Sequence, residues 1–265
     1  MRLFFDKKPV ASFDDVLTLY KTAEFKSPTR STVPLLSLLR HGGEVWSRIV
    51  EKLTPGSSAG EMHLEFTVEP PRGDGNASHT DIMLIDGNCA VAFEAKWTEP
   101  RYEIVRAWLT RGDHPENRDA VMNGWLSLLQ PHATIKLQLD DFMGAVYQSV
   151  HRAASACYAG HAPTMAYIQF SPLANGRPPE PWLMNDLSHL HNLLGAPEGF
   201  PFWLVEIVAK PTPAFEQIRG LPKSSVETAN AVRNALLKGP LFQFTEFHLH
   251  RVHGQRIQAA RFPVA

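Results

Sequence analysis

The chain contains few cysteines and no hydrophobic run long enough to cross a bilayer. Only two of its 265 residues are cysteines, Cys89 and Cys157, and both stand among apolar neighbours, which predicts two reduced, buried thiols. The first twenty residues also lack the pattern of a signal peptide. These absences argue against a disulfide-based secreted scaffold and against a membrane-spanning protein, and we expect a soluble cytoplasmic protein.

An excess of one charge is also missing. The 26 Lys and Arg residues and the 27 Asp and Glu residues give a formal net charge of −1. A strongly basic body is therefore absent, and any contact with nucleic acid must come from a local patch. Arg101, Arg106, Arg111 and Arg118 are interleaved with acidic residues, so the sequence does not locate such a patch.

Helical and alternating spacings of apolar residues predict an α/β fold. The predicted elements are, in order, helices at 13–25 and 34–53 (bent at Gly42-Gly43), strands at 62–68, 80–86 and 90–97, a two-piece helix at 103–129, a helix at 141–158, a strand at 164–170, and further helices and strands to residue 249. This order predicts a mixed central sheet flanked by helices.

We interpret residues 1–265 as a single domain, because the length suits one large globular unit. Its core is expected at about 34–170. A helical N-terminal extension would cover 1–33, and an α/β elaboration would cover 171–265.

Two of the predicted strands carry charged residues in otherwise apolar runs. One begins near Asp81, and the next contains Glu94-Ala95-Lys96. Side chains of a strand alternate between faces, so Glu94 and Lys96 share one face, roughly 6–7 Å apart along the strand. Burying such charges is costly unless they are paired or bind something. A carboxylate from the neighbouring strand can join them, which predicts a site for a divalent cation and a phosphate ester.

The acid-x-lysine pattern also occurs at Asp6-Lys7-Lys8 and Glu24-Phe25-Lys26, where the surroundings indicate solvated charge pairs. The alternative for Glu94 and Lys96 is similar. The strand could lie at a sheet edge with its polar face in water, and the two residues would then form an ordinary surface pair.

With Asp81 and Glu94-Ala95-Lys96, the chain resembles the PD-(D/E)xK nuclease superfamily, although Thr80 stands where the motif has its proline. The resemblance implies a restriction-endonuclease-like fold, whose core is a helix, three strands, a helix and a strand. It also implies a metal-dependent nuclease that hydrolyses phosphodiester bonds, with DNA as the expected substrate in defence or repair. Endonuclease or exonuclease action, RNA as a substrate, sequence specificity and a homo-oligomeric state all stay open.

The resemblance further implies roles for individual residues. Asp81, Glu94 and Lys96 would be catalytic. Mg²⁺ or Mn²⁺ would be held by Asp81, Glu94, the Ala95 carbonyl and Glu44 of the preceding helix, since Mg²⁺ prefers oxygen ligands. Lys96 would orient the attacking water or offset charge developing on the phosphate.

The helix at 141–158 carries the polar residues Gln148, His151 and Arg152 at helical spacing. In the resembling superfamily this helix places a polar residue near the site, so we expect these three to contact substrate. His79, two residues before Asp81, is a fourth expected contact. The alternatives are a solvated helix face and an ordinary loop histidine.

Two readings compete with an active nuclease. One is a catalytically inactive nucleic-acid-binding or regulatory module on the same fold. The other is a protein whose strand pair only mimics the motif. Glu65 and Glu69 share a face of the first core strand; they could border the site, but we interpret them as the solvent face of that strand.

Overall fold

The computed structural model describes residues 1–55, 60–112, 114–179 and 181–253. Its strands are β1 (Arg2–Phe5), β2 (Lys8–Pro9), β3 (Glu61–Val68), β4 (Ser78–Asp86), β5 (Cys89–Lys96), β6 (Ala162–Ser171), β7 (Phe202–Pro211) and β8 (Phe242–Val252). They form one eight-stranded sheet in the order β2-β1-β3-β4-β5-β6-β7-β8. Strands β3, β4 and β5 are antiparallel, β5, β6 and β7 are parallel, and β8 is antiparallel to β7.

Helices cover both faces of this sheet. They are α1 (Phe13–Leu19), α2 (Thr22–Phe25), α3 (Thr32–His41), α4 (Gly43–Leu53), α5 (Val105–Thr110), α6 (Pro115–Leu129), α7 (Tyr147–Ala159), α8 (Trp182–Leu193), α9 (Pro213–Arg219) and α10 (Val226–Lys238). One apolar core lies between the sheet and α1–α4, α9 and α10, and a second lies between the sheet and α5–α8. The predicted mixed sheet flanked by helices is therefore confirmed. No helix among the described residues is long and apolar enough to cross a membrane.

Several local predictions are confirmed, and the reason is visible in the backbone. The predicted bend at Gly42-Gly43 is a break between α3 and α4. A Cβ at Gly42 would meet Leu38 and the Phe244 ring at 2.7–2.9 Å, so this junction needs a glycine. The predicted break in the helix at 103–129 separates α5 from α6.

Three other predictions were wrong in part. The N-terminal extension is not only helical, because β1 pairs in parallel with β3 and extends the sheet. The helix expected at 141–158 begins at Tyr147, and residues 139–142 form a separate 3-10 turn. Helix α9 was not predicted, because its seven residues are too few for a clear apolar period.

Strand β5 lies inside the sheet, between β4 and β6. Its residues Val91, Phe93 and Ala95 face the first core, whereas Ala90 and Ala92 face the second. By alternation Glu94 and Lys96 also face the second core, on the side of α7. Their side chains are only 4% exposed, so the alternative of a water-exposed edge strand was wrong.

Candidate functional site

Three carboxylates lie in one row across three adjacent strands. Glu65 of β3 stands opposite Asp81 of β4, between the paired positions Leu64–Ile82 and Phe66–Thr80. The last β4–β5 pair is Ile82–Phe93. At the next position along the two strands, Asp81 stands opposite Glu94. Directly opposed residues share a face of the sheet, so the row directs Glu65, Asp81 and Glu94 to the same side.

The backbone is irregular along this row. Glu65 has a φ of +53°, a left-handed conformation that is uncommon for a residue other than glycine. Beyond Ile82 the β4–β5 ladder ends, and the Ala95 amide donates to Asp81 Oδ2 at 2.7 Å instead of to a backbone carbonyl. The carboxylate of Asp81 is thus held against β5 by a backbone donor. Irregular strand pairing of this kind is over-represented next to active sites.

Glu94 is the most heavily bonded member of the row. Its Oε1 accepts from Lys96 Nζ at 2.9 Å and from Gln148 Nε2 at 3.0 Å. Its Oε2 accepts from Arg152 Nε at 2.5 Å. Two cations and an amide therefore surround one buried carboxylate, and both partners from α7 were predicted as site residues.

Arg152 is in turn anchored on its far side. Its Nη1 donates to the buried Ser78 Oγ at 2.8 Å, and Ser155 Oγ lies 2.9 Å from the same oxygen. Ser78 Oγ also lies 2.9 Å from His151 Nδ1. This cluster ties α7 to the first residue of β4 and fixes the direction of the guanidinium.

The three carboxylates differ in the direction in which the protein shifts their pKa values. Burial alone would raise the pKa of Glu94, but Arg152 and Lys96 hold it below its ordinary value. Asp81 lacks such direct ion pairs among the described residues. Burial and repulsion by Glu94 and Glu65 therefore raise its pKa well above the usual range. Burial and repulsion by Glu24 raise the pKa of Glu65 to about 7. Two of the three acids thus have raised pKa values, whereas the pKa of Glu94 is lowered.

His151, a predicted substrate contact, lies next to Ser78 and Arg152. Burial, together with the charges of Arg152 and Lys96, lowers its pKa well below the ordinary value. The ring is therefore neutral at pH 7. Its Nδ1 lies 3.3 Å from Arg152 Nη1, which can only donate, so Nδ1 is the acceptor in this contact. His151 contacts Ser78 and Arg152, and its role as a substrate contact stays a prediction.

The row opens into a cavity of about 480 Å³. Predicted residues Asp81, Glu94, Lys96, Gln148, Arg152 and His79 all line it. His79 lies at its exposed rim, and burial followed by the charge of Arg152 lowers its pKa. The structure therefore brings six of the predicted residues together from three separate elements.

The structure does not bring Glu44 to this cavity. Helix α4 packs on the opposite face of the sheet, where the rings of Trp46 and Phe93 are 5.2 Å apart. Glu44 is exposed in the first turn of that helix. The helix that precedes the strands thus has the expected place in the chain order, but its glutamate is on the wrong side of β5.

Several residues at the cavity were not expected there. Glu24 of α2 lines one wall, although its acid-x-lysine motif had been interpreted as a solvated pair. Glu65 belongs to the row instead of a water-exposed face. Tyr102, six residues after the motif lysine, lines another wall, and Lys96 Nζ lies 4.6 Å from its ring centre. Only the alternation of β3 offered a signal, by placing Glu65 on a polar face.

The donor set has the chemistry of a site for a divalent cation, since Asp81, Glu94 and Glu65 supply carboxylate oxygens. Burial, together with repulsion from neighbouring carboxylates, raises the pKa values of Asp81 and Glu65, and a bound cation would relieve the repulsion. Within the four described segments, no group of three or more His, Cys, Asp or Glu residues is arranged as a ready-made metal site. The two oxygens of Glu94 already accept three donors, so a cation that binds Glu94 would have to replace one of them. Ligation by the Ala95 carbonyl stays a prediction.

No curated protein and no solved structure matches this chain. One family model does match, over residues 9–202, a range that contains the whole row of carboxylates and all the α7 residues at the cavity. Because this range covers well over half of the sequence, the chain belongs to the family described as a domain of unknown function, DUF6946.

Proposed function

We propose that this protein is a metal-dependent nuclease of the PD-(D/E)xK type that hydrolyses phosphodiester bonds in DNA. The proposal depends above all on one observation. Asp81, Glu94 and Lys96 converge on one cavity of the sheet, and Gln148 and Arg152 reach the same carboxylate from α7. The succession α4, β3, β4, β5, α7, β6 also agrees with the restriction-endonuclease-like core of that superfamily.

Each residue has a role in this proposal. Asp81 and Glu94 would hold Mg²⁺ or Mn²⁺, with Glu65 next to them in the row. A divalent cation at such a site polarises the scissile phosphate and lowers the pKa of a bound water. Burial would lower the pKa of Lys96, but the attraction of Glu94, with smaller contributions from Tyr167, Tyr102 and Asp81, raises it above its ordinary value, so Lys96 keeps its positive charge. It can therefore offset negative charge that develops on the phosphate.

Arg152 is the second cation of the site. Next to a metal ion held by Asp81 and Glu94, the guanidinium would offer a donor that Glu94 and Ser78 do not use to a phosphate oxygen, which arginine binds well. Gln148 holds the other oxygen of Glu94 and orients the carboxylate. Both roles use contacts that already exist in the protein.

The test is DNA cleavage by the wild type and by Lys96→Ala and Asp81→Ala, with Mg²⁺ or Mn²⁺ and again with EDTA. Each substitution is expected to lower the cleavage rate by about a hundredfold or more, because it removes a charge that acts on the transition state. Lys8→Ala is the matched control, since Lys8 is an exposed lysine of an acid-x-lysine motif and does not itself line the cavity. Equal rates in all four proteins, or cleavage that persists in EDTA, would contradict the proposal.

A catalytically inactive nucleic-acid-binding or regulatory module is the second candidate. It is favoured by the saturation of Glu94, whose two oxygens already accept three donors without a metal ion. Titration calorimetry separates the candidates. An active site of the proposed kind takes up Mn²⁺, and Asp81→Asn removes the binding heat, whereas the inactive module shows no binding heat with either protein.

A further inference from the structure

The carboxylate cavity is small and its reactive groups are deep. The side chains of Glu94 and Lys96 are 4% exposed, and the cavity measures about 480 Å³. Residues from the N-terminal segment, including Tyr20, Lys21 and Glu24, form its outer wall. Volumes in this range suit one small ligand. A single nucleic-acid strand is closer to this size than an intact duplex, which favours a single strand at Lys96.

Two further cavities continue from this one. A narrow cavity of about 190 Å³ shares the walls His79, Tyr102, Gln148 and Arg152 with the first. It shares Ala77, Glu103, Tyr147 and His151 with another cavity of about 480 Å³. The three form a continuous track that leads from the carboxylate row, past Tyr102 and Tyr147, to the region between α5 and α6.

The walls of this track combine aromatic rings with cations. Tyr102 is 42% exposed where the first two cavities meet. Further out, the Trp108 and Tyr147 rings stack at 3.9 Å, and the Arg118 guanidinium lies 4.7 Å from the Trp108 ring. The Arg111 side chain, 65% exposed, pairs with Glu103 at 3.0 Å at the outer end. Aromatic faces alternating with arginines are typical of surfaces that bind single-stranded nucleic acid without reading its sequence.

The far wall of the track is held in place. Asp74 N donates to Asn117 Oδ1 at 2.7 Å, and Asn117 Nδ2 donates to the Asp74 carbonyl at 2.6 Å. Gly73 has a φ of +71°, and a Cβ there would meet Asn117 and Val121 at 2.8–2.9 Å. The loop between β3 and β4 is thus fastened to α6 and forms a preformed wall of the track.

We propose that this track binds one unpaired strand of DNA and delivers its end, or an unpaired stretch, to the carboxylate row. The inference builds on the proposed nuclease function and adds the substrate class, which is single-stranded DNA. The deep position of Lys96 in a cavity of this size favours a single strand over a duplex. Tyr102 would stack on the nucleotide next to the site.

Binding can be measured without cleavage. Fluorescence anisotropy in EDTA at low salt compares a labelled oligothymidylate with a blunt duplex of the same length. The single strand is expected to bind at least about tenfold more tightly than the duplex. Tyr102→Ala is expected to weaken its binding by about tenfold, because stacking on one aromatic side chain stabilises a base by about 1–3 kcal/mol. Arg111→Ala is expected to reduce the salt dependence of binding.

Two matched variants control for unspecific effects. Tyr158→Ala removes a tyrosine that is 55% exposed on α7 and outside all three cavities, and Arg219→Ala removes an exposed arginine paired with Glu216. Both should bind as the wild type does. Duplex binding as tight as single-strand binding, no binding of either DNA, or equal affinities of Tyr102→Ala and Tyr158→Ala would overturn the track. Single-strand binding without any metal-dependent cleavage would instead contradict the nuclease function and leave the track in place.

Discussion

Replacing Arg152 by alanine is expected to lower the free energy of unfolding by about 3–5 kcal/mol, because it leaves the buried Glu94 without its closest cation. Glu94 is 3% exposed, so water cannot take the place of the guanidinium. Lys96 and Gln148 remain bonded only to Oε1, and Oε2 loses its donor. For a domain of this size the loss corresponds to a decrease in Tm of about 10 °C. Urea unfolding followed by circular dichroism at neutral pH measures it.

The control for Arg152→Ala is Arg219→Ala. Arg219 also pairs with a glutamate, at 3.2 Å, but both partners are 40–50% exposed. An exposed pair contributes about 0–1 kcal/mol, so this variant should unfold almost as the wild type does. The variant Arg152→Ala with Glu94→Gln removes the uncompensated charge as well, and it should recover part of the lost stability. Similar losses in both single variants would show that the Glu94 carboxylate is not buried as described.

Replacing Glu65 by glutamine is expected to stabilise the protein above neutral pH and to have little effect in acid. Burial, followed by repulsion from Glu24, raises the pKa of Glu65 to about 7, against an ordinary value near 4.5. A carboxyl group with a raised pKa favours folding fully below its unfolded value, and this contribution is lost as the pH rises through the folded value. The wild type therefore loses stability between about pH 4.5 and pH 7, and Asp81 acts in the same direction.

The expected difference between Glu65→Gln and the wild type is about 3 kcal/mol near pH 8.5 and close to zero near pH 4.5, from 1.36 kcal/mol per pKa unit. Thermal unfolding across this pH range measures it. Glu51→Gln, exposed on α4, controls for the loss of one negative charge. Mn²⁺ should raise the Tm of the wild type more near pH 8.5 than near pH 5, because protons compete for the same carboxylates. A stability difference that does not change with pH would contradict the shared, buried position of Glu65.

The sequence predicted the central part of the site because that part depends on local periods. Two-residue alternation places Glu94 and Lys96 on one face of a strand, whatever surrounds it. Helical spacing likewise places Gln148 and Arg152 one turn apart on α7, and both reach Glu94. The apolar strands around the motif indicated that the charges needed partners, and the buried ion pairs agree with this inference.

Other parts of the site could not be predicted because they depend on long-range pairing. Glu65 reaches the row because β3 pairs with β4 in one register, and a register is chosen by the whole buried face. Glu24 reaches the cavity because β1 joins the sheet beside β3 and brings α2 over it. Glu44 has the expected chain position but lies on the opposite face, since Trp46 packs on Phe93.

The sequence by itself determined that this protein has a mixed α/β sheet and a strand with a carboxylate and a lysine side by side, because hydrophobic periodicity is a local property of the chain. Only the tertiary structure decided that the strand is internal, that Arg152 and Lys96 share one glutamate, and that the carboxylate row opens into one cavity. These features depend on which distant segments pack together, and packing optimises the buried surface of the whole domain.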